Sequence, residues 1–288
     1  MKLSERFADG KFVVTSEVAP PKGIDVAEML EHVEALGARV DAINFTDQQS
    51  SVMRLGSLIA ARLCIERDVT PVFQVTCRDR NRIALQSDLL SAAAIGVENV
   101  LCLTGDHVTL GDFPDAKAVF DLDSVSLLEA ASALNRGVDL AGNELQGSTD
   151  FCLGAVVTPE AEHVDLQVIK MEKKIRAGAT FFQTQAVYDP EAFAGFMDRV
   201  RPLGVPVMAG IILLKSPGMA RFMNRNVAGV RVPDALISEM ADAEDRVAAS
   251  IGIAARLIRD VREVCDGVHI MPIGWEGHVP AVLDAAGL

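Results

Sequence analysis

Two acidic residues lie in apolar runs, where carboxylates are uncommon. Glu17 lies inside the run Phe12–Val18, and Asp106 ends the run Asn99–Asp106 directly after Gly105. Loss of water around a carboxyl group favours its neutral, protonated form, so we expect Glu17 to donate a proton near neutral pH. Gly105 has no side chain and would let a flat ligand approach the backbone beside Asp106. The alternatives are a structural hydrogen bond at Glu17 and a turn or helix cap at Asp106.

Amide and aromatic side chains extend this candidate site. Gln183 and Gln185 alternate along one predicted strand and share a face, which suits a core only if something polar lies inside it. Trp275, the only tryptophan, follows a strand and either stacks on a planar ligand or anchors the core. The other polar residues at predicted strand ends are Thr46, Asp47, Gln74, Thr76, Thr104, His107, Thr158, Glu160, Lys215, Ser216 and Glu276.

A metal site is not predicted. Of the five histidines only His107 and His278 lie near strand ends, and neither belongs to an H-x-x-x-H or H-x-x-E pair. Lys215 is the one lysine near a strand end that a Schiff-base mechanism could use. One buried acid, one aspartate and several amides instead suit the binding of a flat heteroaromatic group and the protonation of a nitrogen.

The elements that must position these residues alternate regularly. Short β-branched runs, nearly continuous in apolar residues, alternate with longer amphipathic segments, as in parallel strands covered by helices. Eight such units predict a single (βα)8 barrel over residues 1–288, with its site at the carboxyl ends of the strands. A doubly wound open sheet is the alternative, but the turn Ala19–Gly23 is not glycine-rich. The predicted strands are Phe12–Val18, Ala42–Thr46, Thr70–Cys77, Asn99–Asp106, Phe151–Thr158, Phe181–Val187, Pro206–Leu213 and Gly267–Gly274.

Two segments interrupt the alternation. The loop His107–Asp123 is long for a strand-to-helix connection and is expected to serve the site. Extra helix, more than one crossover needs, is predicted between the seventh and eighth strands, over Asp234–Ala241 and Glu244–Cys265. The remaining predicted helices are Val26–Leu36, Met53–Ile65, Ile83–Ala94, one from Ser124, Val164–Ala177, Glu191–Val200 and Val279–Ala286.

Composition excludes several classes of function. A net charge of −13 argues against a nucleic-acid partner, because phosphate binding depends on clustered Lys and Arg. No run reaches the roughly 18–20 apolar residues that span a bilayer, and the first residues have no signal-peptide pattern, so a cytoplasmic location is expected. The five scattered cysteines are expected to be reduced thiols. The basic segment Arg78–Arg82 is either a solvated helix start or a contact to a phosphate-bearing cofactor.

Short motifs in a fixed order carry a resemblance to a known family. They are Ser16-Glu17-x-x-Pro20-Pro21-Lys22, Thr76-Cys77, Gly105-Asp106, Pro159-Glu160-Ala161, Lys173-Lys174-x-x-Ala177-Gly178-Ala179, Thr184-Gln185-x-x-x-Asp189 and Val230-Arg231-Val232-Pro233. In order and spacing the chain resembles the methylenetetrahydrofolate reductase family over residues 5–288, in the short form that consists of the catalytic barrel.

The resemblance implies an NAD(P)H-dependent reduction of 5,10-methylenetetrahydrofolate to 5-methyltetrahydrofolate through a bound flavin, FAD. It implies that Glu17 is the acid that protonates the folate and that Asp106 lies between flavin and pterin. Gln185 is expected to contact folate or nicotinamide, and Trp275 to contact the substrate. Contacts to the cofactor are expected from Thr46, Asp47, Gln74, Thr104, Gly105, Asp106, Phe120, Asp121, Thr158, Ala161 and Lys174.

Several positions depart from the family pattern, which often has aromatic residues where this chain has Val18-Ala19. Thr104 replaces a common arginine, Gln74 a frequent histidine, and Trp275 a frequent arginine that contacts the substrate. FMN, weakly bound FAD and a flavin-free hydride transfer therefore stay open. Two other functions stay open. One is that of an auxiliary subunit that receives electrons from a partner protein; the other is that of a flavin-free lyase with the same fold. The chain could also form a homo-oligomer.

Overall fold

Eight parallel strands close into a barrel in the computed structural model, which describes residues 1–288. The strands are β1 (Val13–Val18), β2 (Ala42–Phe45), β3 (Pro71–Thr76), β4 (Asn99–Leu103), β5 (Cys152–Val157), β6 (Phe181–Ala186), β7 (Val207–Ile212) and β8 (Gly267–Met271). Each strand pairs with the next along the chain, and β8 pairs with β1. The predicted (βα)8 barrel is therefore confirmed.

Eleven α-helices surround the strands. They are α1 (Leu3–Ala8), α2 (Ala27–Gly37), α3 (Ser57–Ile65), α4 (Arg82–Ala94), α5 (Ser124–Asn135), α6 (Val164–Arg176), α7 (Pro190–Val200), α8 (Pro217–Asn226), α9 (Asp234–Asp242), α10 (Arg246–Val261) and α11 (Val279–Ala286). Side-chain caps start several of them: Asn81 accepts two backbone N–H groups at the start of α4, and Asp123 does so for α5. The predicted extra helix between β7 and β8 is present as α9 and α10.

The interior of the barrel changes from apolar to polar along the strands. The alternation of a strand sends every second residue inward, so β1 contributes Val13, Thr15 and Glu17 in ascending layers. Val13 belongs to the bottom layer, an apolar cluster. The cluster consists of Leu3, Val13, Ala42, Val72, Leu101, Cys152, Phe181 and Met208. We call these eight residues the apolar floor.

Two glycines make room for this arrangement. A Cβ on Gly154 would lie 2.3 Å from the ring of Phe181, so the absence of a side chain admits that ring into the floor. A Cβ on Gly210 would lie 2.4 Å from the Thr184 carbonyl oxygen. The β6–β7 register shifts between Gln183 and Ala186, next to this close approach.

The structure corrects some predicted bounds. The fourth and eighth predicted strands end three residues early, at Leu103 and Met271. In both places the chain turns away: Gly105 has φ +92°, and Ile273 and Gly274 have φ 51° and 78°. Helix α3 begins at Ser57 rather than at the predicted residue 53. Helices α1 and α8 were not predicted from the sequence.

Candidate functional site

A two-lobed cavity opens at the carboxyl ends of the strands. The inner lobe, about 330 Å³, lies over the barrel axis and is lined from β1, β2, β3, β4, β5, β6 and β8. The outer lobe, about 410 Å³, extends past α2 toward the turn after β8. Glu17, Thr46 and Gln49 line both lobes. A ligand that fills both lobes must therefore contact these three residues.

Glu17 presents one of its carboxylate oxygens to this cavity. Oε1 accepts a hydrogen bond from Gln74 Nε2 at 3.0 Å, and His269 Nε2 lies 3.4 Å from the same oxygen. No protein group hydrogen-bonds Oε2. The Glu17 side chain is 12% exposed. The carboxyl group is thus fixed through one oxygen and has the other available for a ligand.

Buried polar side chains form the layer between Glu17 and the apolar floor. Thr15 Oγ1 lies 2.8 Å from His269 Nδ1, and Gln183 Nε2 donates to Thr15 Oγ1 at 3.2 Å. Asn44 Nδ2 donates to Gln183 Oε1 at 2.9 Å. These four side chains are all buried, and their hydrogen bonds satisfy one another. Gln183 therefore has polar partners inside the barrel, which is the condition under which an amide suits an inward position.

Asp106 lies across the inner lobe and contacts a strained loop. Ser50 N donates to Asp106 Oδ2 at 3.2 Å. Gln48, Ser50 and Ser51 have φ of 53°, 54° and 58°, a left-handed conformation that is costly for residues other than glycine. A Cβ on Gly111 would lie 1.8 Å from the Ser51 carbonyl oxygen, so the long loop after β4 packs directly against this segment.

Asp112 links three loops at the cavity mouth. Its carboxylate pairs with Lys22 from the loop after β1 and accepts from Met53 N in the loop after β2 at 3.2 Å. The hydrogen bond from Lys22 holds the pKa of Asp112 below its ordinary value. The loop His107–Asp123, expected to serve the site, contributes this link but no residue to the wall of either lobe.

Each arginine of the segment Arg78–Arg82 already has an aspartate partner. Arg78 forms a two-point pair with Asp79, and Nη1 donates to the Asp106 carbonyl at 3.4 Å. Arg80 pairs with Asp47 and Asp88, and Arg82 pairs with Asp121 through two nitrogens. The hydrogen bond from Arg82 lowers the pKa of Asp121 to about 2. This segment therefore has no unpaired guanidinium for a phosphate group.

The proposed cofactor contacts divide into two groups. One group lines the inner lobe: Thr46, Asp47, Gln74, Thr104, Gly105 and Asp106. The other group lies outside the walls of both lobes: Phe120, Asp121, Thr158, Ala161 and Lys174. In the second group, Lys174 Nζ donates to the Val156 carbonyl at 2.6 Å, and burial lowers its pKa to about 8. The loop after α8 covers Thr158, since a Cβ on Gly229 would lie 2.1 Å from Thr158 Cγ2.

The two proposed substrate contacts also differ in position. Gln185 lines the inner lobe. Trp275 lies beside the outer lobe, between Gly274 and Glu276, which line it. Lys215 Nζ stands 5.5 Å from the centroid of the Trp275 ring, in a cation–π contact. The indole therefore packs against a lysine at the rim and is not part of either wall.

Sequence reasoning missed several residues of the cavity and the layer below it. His269, Thr15 and Asn44 were not singled out, although all three are polar residues at inward positions of predicted strands. The alternation that selected Glu17 also selects Thr15, two residues earlier. Arg78 was considered only as part of a basic cluster, yet its side chain is buried and lines the inner lobe.

Neither a metal centre nor a membrane-spanning helix is found in the structure. No group of three or more His, Cys, Asp and Glu side chains is placed to hold a metal ion. No helix has both the length and the apolar composition that crossing a membrane would take.

Comparison with known proteins gives consistent matches. A family model described as methylenetetrahydrofolate reductase matches residues 2–287. Methylenetetrahydrofolate reductase 2 of Schizosaccharomyces pombe is 27% identical over 259 residues, which cover 81% of this chain and 38% of that protein. The probable methylenetetrahydrofolate reductase (NADPH) of Caenorhabditis elegans is 24% identical, with 99% and 44% covered. The 5,10-methylenetetrahydrofolate reductase of Pectobacterium carotovorum is 27% identical, with 69% and 62% covered. The chain thus spans less than two thirds of each of these relatives.

A solved structure shares the fold along the whole chain. It is an uncharacterized protein from Clostridium thermocellum, described as binding two copies of 5-methyl-5,6,7,8-tetrahydrofolic acid. The TM-score is 0.70 at 15% sequence identity, with 99% of this chain and 97% of that chain covered. Because the family model matches nearly every residue, this chain belongs to the methylenetetrahydrofolate reductase family.

Proposed function

We propose that this chain reduces 5,10-methylenetetrahydrofolate to 5-methyltetrahydrofolate with electrons from NADH or NADPH, and that Glu17 is the general acid. The observation that carries the proposal is the geometry of the Glu17 carboxyl group. One oxygen accepts a hydrogen bond from Gln74 and lies 3.4 Å from His269 Nε2, and the other has no protein partner at the wall of a cavity at the carboxyl end of a barrel. A fixed carboxyl group with one free oxygen suits directed proton transfer.

The proton from Glu17 goes to N10 of the folate. Protonation lets the bond between N10 and the methylene carbon break, and the electron pair of that bond stays on N10. The methylene carbon is then part of a cationic iminium with N5. A hydride completes the reduction by forming the new C–H bond of the methyl group. Glu17 is left as a carboxylate, which the hydrogen bond from Gln74 Nε2 to Oε1 stabilises.

Asp106 is proposed to act by charge. A cation develops on the substrate when the five-membered ring opens, and a fixed carboxylate near that position lowers its energy. Ser50 N holds Asp106 Oδ2, so the charge does not have to reorient during the reaction. Asp106 therefore serves as an electrostatic partner of the iminium, and Glu17 as the proton donor.

The inner lobe fits the ring system of a flavin. Thr46 is buried, and its hydroxyl has no hydrogen-bond partner in the protein. This orphaned group, the amides of Gln74 and Gln185, and the cavity beside the Gly105 backbone are suited to the edges and face of a flat heteroaromatic ring. When bound there, a flavin would accept hydride from the reduced nicotinamide and pass it to the folate. The segment Arg78–Arg82 gives the phosphate end of the cofactor no unpaired cation, since each of its arginines is paired with an aspartate.

The proposal is tested by anaerobic spectroscopy followed by turnover. Flavin bands in the purified protein that are bleached by NADH or NADPH, and restored by methylenetetrahydrofolate, support the reaction as written. Bands that nicotinamide does not bleach point to electrons from a partner protein. If no bands are present, direct reduction of methylenetetrahydrofolate by nicotinamide is assayed. The proposal would be overturned if none of these assays produced methyltetrahydrofolate.

A residue-level test separates the acid from the rest of the site. Glu17→Gln should lower the rate of folate reduction by about 100-fold or more while nicotinamide still reduces the cofactor. Glu160→Gln is the matched control. Glu160 is a rim carboxyl whose pKa burial raises, but it lines neither lobe, and its Oε1 accepts from Tyr188 N and Asp189 N. A glutamine keeps that acceptor oxygen. Equal losses in both variants would contradict the assignment of Glu17.

A further inference from the structure

His269 lies in the layer directly below Glu17 and contacts it. The side chain is 3% exposed, and its two ring nitrogens have different partners. Nε2 lies 3.4 Å from Glu17 Oε1, and Nδ1 lies 2.8 Å from Thr15 Oγ1. Since both contacts involve a group that can donate or accept a proton, the tautomer of His269 depends on the rest of the layer.

The hydrogen bonds below His269 favour one tautomer. Gln183 and Asn44 pair through both of their amide groups, at 2.9 and 3.3 Å, and Gln183 Nε2 also donates to Thr15 Oγ1. Thr15 Oγ1 accepts this hydrogen and has one other partner, His269 Nδ1, to which it can give its own proton. Nδ1 is then an acceptor, and a neutral ring carries its proton on Nε2.

We propose that His269, held in the Nε2–H form by Thr15, is a positioning residue for Glu17; this rests on the proposed function of Glu17 as the acid. Gln74 Nε2 donates to Oε1, and the Nε2–H of His269 lies 3.4 Å from the same oxygen, so the proton that the acid transfers is carried by Oε2. Oε2 is the oxygen that no protein group occupies. The buried layer thus selects which carboxyl oxygen delivers the proton, without touching the substrate itself.

The kinetic test uses Thr15, because it contacts neither substrate nor Glu17 in this arrangement. Thr15→Val keeps the shape of the side chain but cannot donate to His269 Nδ1. We expect kcat for folate reduction to fall by about tenfold, while KM stays within about twofold. Thr15→Ser restores the hydroxyl and should recover most of the lost kcat. Ser16→Ala is the control on the same strand: its hydroxyl is buried, unpartnered and on the opposite face. Equal kcat in Thr15→Val and Thr15→Ser would overturn the proposal.

The spectroscopic test does not depend on activity. In protein labelled with ¹⁵N in its five histidines, the His269 signals are identified by their loss in His269→Asn. We expect a protonated Nε2 and an unprotonated, hydrogen-bonded Nδ1 near neutral pH, and a changed Nδ1 signal in Thr15→Val. A proton on Nδ1, or on both nitrogens, would overturn the proposal. If the tautomer is as expected but no folate is reduced, the proposed function fails and the hydrogen-bond assignment stands.

Discussion

The buried amine of Lys174 gives a quantitative test of how this structure responds to pH. Burial lowers the pKa of Lys174 from 10.5 to about 8, so between those values the unfolded chain binds a proton that the folded chain does not. Stability then rises with pH across this window. The difference between 10.5 and about 8 corresponds to about 3 kcal/mol, of which about 2.5 kcal/mol is gained between pH 7 and pH 10.

The five cysteine thiols change the free energy of unfolding with pH in the opposite direction. Burial raises the pKa of Cys64 and Cys77 to about 12 and that of Cys265 to about 11, and raises those of Cys102 and Cys152 as well. A thiol with a raised folded pKa contributes stability below its unfolded value, near 9, and this contribution is lost as pH rises through the folded value. Because five groups oppose one, the free energy of unfolding of the native sequence should fall above about pH 9.

Comparing the native sequence with Lys174→Met separates the contribution of Lys174 to the pH dependence of stability from that of the thiols. Chemical denaturation of both proteins, measured from pH 7 to pH 10, gives two curves whose difference contains only Lys174. The free energy of unfolding of the native sequence should rise by about 2.5 kcal/mol relative to the variant over this range. Loss of the hydrogen bond to the Val156 carbonyl adds an offset of about 1 kcal/mol that does not vary with pH. A difference that is flat with pH would refute the burial of a titrating amine at this position.

Three other predictions concern the cavity. Thr46→Val removes an unpartnered buried hydroxyl, so it should leave the melting temperature unchanged or raise it, while flavin affinity measured by fluorescence titration falls about tenfold. Gly105→Ala places a Cβ on a residue with φ +92°, 2.9 Å from Thr76 Cβ, so it should lower the free energy of unfolding by about 1–3 kcal/mol in a denaturant titration. Gly252→Ala is the control: its Cβ meets nothing within 4 Å, so this variant should not lose stability. Because the arginines of the segment Arg78–Arg82 are paired, the affinities for FAD and FMN should agree within about threefold in the fluorescence titration. A preference of about 100-fold for FAD would show that its diphosphate finds cationic partners.

The alternation of residues along strands accounts for what the sequence could predict. Glu17 was found because a carboxylate interrupts an apolar run, and such a run in a parallel barrel has one inward and one outward face. The order of the strands, their closure and the extra helices between β7 and β8 follow from the same pattern. Asp106 was placed at the end of a strand and lies on the cavity wall, three residues beyond the last strand residue.

Contacts between distant loops could not be predicted from the sequence. The link from Asp112 to Lys22 joins residues 90 positions apart, and nothing in their local spacing indicates it. The left-handed conformations of Gln48 and Ser50 were equally hidden, because neither residue type demands positive φ. Helix α8 was missed because its apolar residues are few, although Ser216 and Pro217 form a typical start.

The apolar floor has a consequence for the order of events in a catalytic cycle. The polar layer of Thr15, Asn44, Gln183 and His269 rests on the apolar floor, where only the Cys152 thiol carries a dissociable hydrogen and burial raises its pKa, so the floor offers Glu17 no ready proton path through the base of the barrel. In the proposed reaction the spent Glu17 carboxylate would be recharged from above, through the space that the methylated product would occupy. Departure of the product would then precede recovery of the acid, and product that lingers would hold the protein in its discharged state.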